Sequence, residues 1–134
     1  MMKPKIDFLT IAVADLEKSV AFYRDGLGLP TEGIHEGNED HCLFELANGF
    51  RLVLYCREEF LSQTQTSAEA AKSAGFIISY IADSRAEVDA ILQQALQAGA
   101  RQIGSTQDEA WGYSANFADP DGHHWEISFM PGNA

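Results

Sequence analysis

The chain has 134 residues, room for one ordinary domain or two half-size units sharing a core, and not for two full domains. Hydrophobic residues at 46% and charged residues at 22% call for a packed core and exclude a disordered chain. With 9 Lys plus Arg against 20 Asp plus Glu, the net charge of -11 repels nucleic acid phosphates and anionic membrane surfaces and draws in cations.

The start, MMKPKIDFLTIAVAD, has no apolar segment followed by a small-residue cleavage site, and no apolar run approaches a bilayer span, so a cytoplasmic location is expected. FLTIAVADLEKSVAFY (8–23) reads as an apolar strand, a capping aspartate and a helix. Leu16, Val20, Tyr23 and Leu27 recur at helical spacing behind Asp15, and Gly26, Gly28 and Pro30 stop the helix. A strand is expected in 31–37, and two more in 42–47 and 50–56, joined by the turn Asn48-Gly49. Cys42 and Cys56 each lie in an apolar run, which points to buried free thiols. REEFLSQTQTSAEAAKSA (57–74) is polar and lacks strand character, so it reads as a linker with a short helical turn.

The pattern then repeats. FIISYIADSRAEVDAI (76–91) lines up under 8–23 at a shift of 68 without a gap, matching Phe8 to Phe76, Ala14 to Ala82, Asp15 to Asp83 and Val20 to Val88. Ser84 and Glu87, three apart, form a capping box; Val88, Ile91, Leu92, Ala95 and Leu96 make one helix face, and Gly99 closes it. Strands follow in 100–105, 113–117 and 123–129, with Asp121-Gly122 as the last turn. Aligning the turn glycines sets GFRLVLY (49–55) over GHHWEIS (122–128), a shift of 73. The expected fold is α+β, one domain over 1–134 built from two βαβββ modules, 5–56 and 75–130, with the linker at 57–74.

Strand side chains alternate, so one face of each strand meets its helix and the other lines whatever the sheet encloses. Leu9, Ile11 and Val13 suit the helix side, as do Ile77, Ser79 and Ile81 by repeat, which sends Phe8, Thr10, Ala12, Phe76, Ile78 and Tyr80 to the concave side. In the last strand Trp125, Ile127 and Phe129 are apolar, leaving His124, Glu126 and Ser128 concave; the repeat partners are Arg51, Val53 and Tyr55. Glu126 set among Phe8, Val53 and Phe76 is a poorly hydrated carboxylate, the mark of a site residue.

The stretches AVADLEKSVAFYRDGLGLP (12–30), FIISYIADSRAEVDAILQQALQAGA (76–100) and FADPDGHHWEISF (117–129) resemble the vicinal oxygen chelate superfamily of glyoxalase I, extradiol dioxygenases and the fosfomycin and bleomycin resistance proteins. The resemblance implies an eight-stranded curled sheet around a cleft, commonly in a homodimer. Metal-dependent members place one ligand in the first strand and one in the last strand of each module, which here are Phe8, Val53, Phe76 and Glu126. Only Glu126 can bind a metal, and one carboxylate does not displace the hydration shell of a transition ion, so no metal or other cofactor is expected. A relocated set of His41, His124 and Glu126 is the alternative, against which these histidines and His35 read as loop and rim residues. WGYS (111–114) resembles the WG element of antibiotic-sequestering members; Trp111 and Tyr113 offer flat area for a planar or cationic ligand, or serve packing.

Two functions follow as expectations. One is a metal-free cleft lined by Phe8, Arg51, Val53, Tyr55, Phe76, Tyr80, Trp111, Tyr113, His124 and Glu126 that binds a small aromatic or cationic molecule, without nucleic acid or membrane partners. The other is a lactoylglutathione lyase-like isomerase with Glu126 as proton-transfer base and Arg51 or Tyr55 stabilising the enediolate.

Overall fold

In the computed structural model, residues 3–64 and 76–131 are described. The chain divides into two compact units, Met1–Ser73 and Ala74–Ala134. The first holds β1 (Phe8–Val13), α1 (Leu16–Val20) continuing as a π-helical turn (Ala21–Gly26), β2 (His41–Glu45), β3 (Arg51–Cys56) and α2 (Arg57–Thr64). The second holds β4 (Ile78–Ile81), α3 (Arg85–Gln97), β5 (Arg101–Gln102), β6 (Gln107–Glu109), β7 (Gly112–Ala118) and β8 (His124–Phe129). None of these helices is long and apolar enough to cross a membrane.

Each unit is built the same way. A strand passes through a helix and returns to pair in parallel with the last strand, which the penultimate strand joins antiparallel: the orders are β1-β3-β2 and β4-β8-β7-β5, with β6 also on β7. Asp15 caps α1 by accepting from the Lys18 N–H at 3.1 Å, and Ser84 caps α3 by accepting from the Glu87 N–H at 3.1 Å. Glu87 reaches back to the Asp83 N–H at 2.6 Å, one residue before the cap. The helix stop after α1 is a π turn, in which the Leu27 N–H reaches the Phe22 carbonyl at 3.0 Å, before Gly28 takes a φ of 78°.

The core of the first unit has Ile11, Val13, Leu52, Leu54, Cys42 and Phe44 on the sheet and Val20, Phe22 and Tyr23 on the helix, all buried. Tyr23 meets Phe22 edge-on at 4.9 Å and Phe44 at 6.1 Å. In the second unit Ala115, Phe117, Trp125 and Ile127 are buried with Val88, Leu92 and Ala95 of α3, and the Phe117 and Trp125 rings stack at 6.0 Å.

Among the described residues eight strands form, as three plus five. The strand expected in 31–37 is reduced to isolated bridges from Thr31 to Phe44 and from His35 to Asn38, since Gly33 and Gly37 take φ of 92° and 89° and break the extended run. The strand expected in 100–105 is only β5, and β6, which the sequence reading missed, takes the rest of that edge of β7. The linker begins as the helix α2, and 65–74 lies outside the described residues. Cys42 is buried and Cys56 partly so, both free thiols.

The repeat also needs correction. β1 sets Phe8 beside Arg51 and Thr10 beside Val53, so shifts of 68 and 73 would set Ile78 beside Glu126. Instead Ile78 lies beside Trp125 and Ser79 beside Glu126. The cap has moved in step, from Asp15 to Ser84, which is 69 positions on. A one-residue slip turns every side chain of a strand over. Ile78 and Tyr80 therefore share the helix-side face with Trp125 and Ile127, and Ser79 and Ile81 share the face of Glu126 and Ser128, the reverse of the expectation. Tyr80 holds this register, its hydroxyl donating to Glu87 Oε2 in the first turn of α3 at 2.9 Å.

Candidate functional site

Consider each sheet face opposite its helix. In the first unit β1 contributes Phe8, Thr10 and Ala12, β3 contributes Arg51, Val53 and Tyr55, and β2 contributes His41, Leu43 and Glu45, set side by side by the register. Its middle is apolar: Val53 is buried, while Phe8 and Leu43 are exposed at 54% and 40%, available for contact. At one end the Arg51 Nε lies 3.6 Å from Glu45 Oε1. At the other, His41 stacks on Tyr55 with centroids 5.3 Å apart, and its Nδ1 is 2.7 Å from Asp40 Oδ1. The Tyr55 hydroxyl is directed at Asp40 Oδ2 at 3.5 Å. The hydrogen bond from His41 holds the Asp40 carboxyl below its usual range, and burial followed by the charges of Asp40 and Glu59 raises the Tyr55 hydroxyl.

Beside this face a partly open cavity of about 300 Å³ is lined by Pro30, Thr31, Glu32, His35, Leu43 and Glu45. Its two carboxylates and apolar floor are suited to a small organic cation. Apart from His35, read as a rim residue, these were missed by the sequence reading. Leu43 and Glu45 had a usable signal, since they alternate on the strand opposite Val53 and Arg51.

In the second unit the corresponding face is polar. β8 contributes His124, Glu126 and Ser128; β7 sets Asn116 level with Glu126 and Ser114 level with Ser128; β4 sets Ser79 level with Glu126. Glu126 is partly buried, and the His124 Nε2 is hydrogen-bonded to Asn116 Oδ1 at 2.8 Å. His123 turns away from this face to pair with the buried Asp119 at 2.7 Å, where Asp119 also accepts from the Asp121 and His123 N–H groups and closes the DPDG turn.

Two aromatic residues do not join Glu126. Tyr113 is level with Phe129 on the helix side, where its hydroxyl donates to Asp89 of α3 at 2.6 Å and the Arg85 guanidinium lies 5.0 Å from its ring centre. Tyr80 is held on that side by Glu87. Both hydroxyls are raised, first by these hydrogen bonds to carboxylates and then by burial. The expected concave placement of Tyr80 and Tyr113 is thus corrected, because their phenols find partners on α3. Phe76, 39% exposed, precedes β4 and takes no part in its pairing with β8. Trp111, 50% exposed, sits at the two-residue tip between β6 and β7.

The metal question is one of donor chemistry. With the repeat at 69, the place of Phe8 in the second unit falls on Ile77 instead of Phe76, and neither has a donor atom. Of the four positions only Glu126 offers oxygen, which does not fit a transition ion. Among the described residues no three His, Cys, Asp or Glu side chains converge as a metal-holding group.

Residues 5–127 match the model of the Glyoxalase/Bleomycin resistance protein/Dioxygenase superfamily, and the chain belongs to that family. Solved structures share its fold. A glyoxalase-related enzyme from Fulvimarina pelagi is 22% identical with a TM-score of 0.84, covering 96% of this chain and 90% of its own. A hypothetical protein from S. aureus is 24% identical with a TM-score of 0.80, covering 97% and 96%. A lactoylglutathione lyase from Agrobacterium tumefaciens is 19% identical with a TM-score of 0.67, covering 95% and 94%. No curated protein matches the chain.

Proposed function

We propose that this protein binds a small aromatic or cationic molecule and does so without a metal ion. The observation that carries the reading is the donor set: three of the four family ligand positions hold Phe8, Val53 and Ile77, and only Glu126 is ionisable. Binding needs no Lewis acid, so apolar residues at these places are compatible with it, whereas they remove the ligands on which metal-assisted chemistry depends. By itself the face of the first unit offers aromatic and apolar surface at Phe8, Leu43 and Tyr55, with the carboxylates of Glu32 and Glu45 lining the adjacent cavity.

The second reading, a lactoylglutathione lyase-like isomerase with Glu126 as base, is supported by a partly buried carboxylate in the last strand and by the fold it shares with the Agrobacterium enzyme. It needs a group to stabilise the enediolate. Arg51 lies against Glu45, and the Tyr55 hydroxyl is directed at Asp40, which makes both weaker for that role.

The test is elemental analysis of the protein after exposure to zinc, nickel, manganese and iron, with a thermal-shift screen of aromatic and cationic compounds in metal-free buffer. Stabilisation without metal is the expected result, and Glu126→Gln should weaken cationic ligands far more than neutral ones. Stoichiometric metal with hemithioacetal turnover would transfer the case to the isomerase.

A further inference from the structure

The face around Glu126 carries hydrogen-bonding capacity that the fold leaves unused. Glu126 is partly buried, and its carboxylate has no hydrogen bond or ion pair among the described residues. Two residues on, Ser128 is 3% exposed, and its Oγ is buried with no hydrogen-bond partner among the described residues. Buried polar groups in folded proteins are nearly always satisfied, so an orphaned hydroxyl beside an unpaired carboxylate points to a missing donor. Ser79 on one side and Asn116 on the other lie level with Glu126, on strands about 4.8 Å away, within reach of one small ligand group. Asn116 is fixed through its Oδ1 by His124 Nε2 at 2.8 Å.

The chemistry of this set selects its ligand. One negative charge flanked by neutral hydroxyl oxygens matches a group with one positive charge and several N–H donors. A divalent ion requires more anionic or imidazole ligands. A carboxylate or phosphate would be repelled by Glu126, and a quaternary ammonium brings charge without donors. A primary ammonium has one charge, three donors and no acceptor.

We propose that this face of the second unit is a subsite for a protonated primary amine, with Glu126 as its counter-charge and Ser128 and Ser79 accepting its remaining N–H bonds. The proposal rests on the metal-free binding reading and names the cation that the reading leaves open. Ser128 reaches the amine by rotation about χ1 among its staggered positions.

Calorimetric titration at pH 7 in chelator-treated buffer with benzylamine, benzyltrimethylammonium and benzyl alcohol tests it. Benzylamine should bind about tenfold more tightly than the quaternary cation, the difference expected from its hydrogen bonds to charged and neutral acceptors. Glu126→Gln should remove most of that affinity. Ser128→Ala deletes a hydroxyl that has no partner among the described residues, so the variant should fold normally, weaken benzylamine by roughly threefold to tenfold and leave the quaternary cation unchanged. Equal binding of the two cations, or benzylamine affinity untouched by Ser128→Ala, overturns the subsite while metal-free binding stands. Failure of benzylamine to bind at millimolar concentration overturns it as well, and the wider compound screen then decides the metal-free reading on its own.

Discussion

In the first unit the face around Val53 is apolar at its centre, with Phe8, Thr10 and Leu43 beside it; in the second the face around Glu126 carries Ser79, Asn116, Ser114 and Ser128. The two sheets share their parallel first-to-last strand pairing and antiparallel last hairpin, so backbone topology does not account for the difference. Side-chain identity does, together with one residue of register. At a shift of 68 the second unit would have presented Phe76, Ile78 and Tyr80 with Glu126; at 69 it presents Ser79 and Ile81. A strand's period of two means that the smallest slip has the largest effect on which groups a ligand meets. The apolar and polar faces are therefore suited to different chemical groups, flat surface for one and a charged donor group for the other.

The comparison can be tested first at the two cores. Phe44→Ala in the first unit and Phe117→Ala in the second, both fully buried, should each cost about 3 to 5 kcal/mol in denaturant unfolding, and unequal losses would show that one core dominates stability. Next comes Gly112, at the start of β7, where a Cβ would collide with the Phe129 carbonyl oxygen. Gly112→Ala should cost about 3 kcal/mol, because the obstacle is backbone that cannot swing aside. This gives the glycine of the WG element a structural cause that does not depend on any ligand.

A smaller effect separates the two alignments of the repeat. Ser84→Ala should cost about 1 kcal/mol and Asp83→Ala should leave the cap of α3 intact, whereas a shift of 68 would make Asp83 the cap. Equilibrium unfolding followed by circular dichroism reads both.

The smallest effects are pH-dependent and differ in sign between the two phenols of the second unit and Asp40 of the first. Tyr80 and Tyr113 are raised in the folded protein, so the stability they lend α3 is full below their unfolded value near pH 10 and is lost as pH rises through the folded value. Tyr80→Phe and Tyr113→Phe should reduce this alkaline loss in melting curves. Asp40 is lowered by His41, so its contribution is present above the unfolded value near pH 4 and fades as pH falls below it. Asp40→Asn should flatten the acid limb.

Much of the fold was legible because it is written in local chemistry. Asp15 and Ser84 are cap residues followed by apolar residues at helical spacing, and the runs 50–56 and 123–129 follow turn glycines, so strand, helix and turn could be placed without knowing any contact. Glu126 was found by alternation alone, since Trp125 and Ile127 leave it the opposite face. The strand expected in 31–37 failed because its two glycines adopt left-handed backbone, which residue pattern alone did not weigh.

The sequence by itself determined the repeated strand-helix-strand plan, the placement of both caps and the lack of ligating atoms at Phe8 and Val53, because these follow from residue type and short-range spacing. Tertiary structure alone decided the register of β4, and with it the departure of Tyr80 from the face of Glu126, as the register of β7 on β8 decided that of Tyr113. Matched letters at Phe8 and Phe76 favoured one alignment, but the phenols of Tyr80 and Tyr113 reach carboxylates on α3, partners that only become neighbours once the helix packs on its sheet. The orphaned hydroxyl of Ser128 likewise emerges only from burial, which depends on what surrounds a residue and not on what precedes it in the chain.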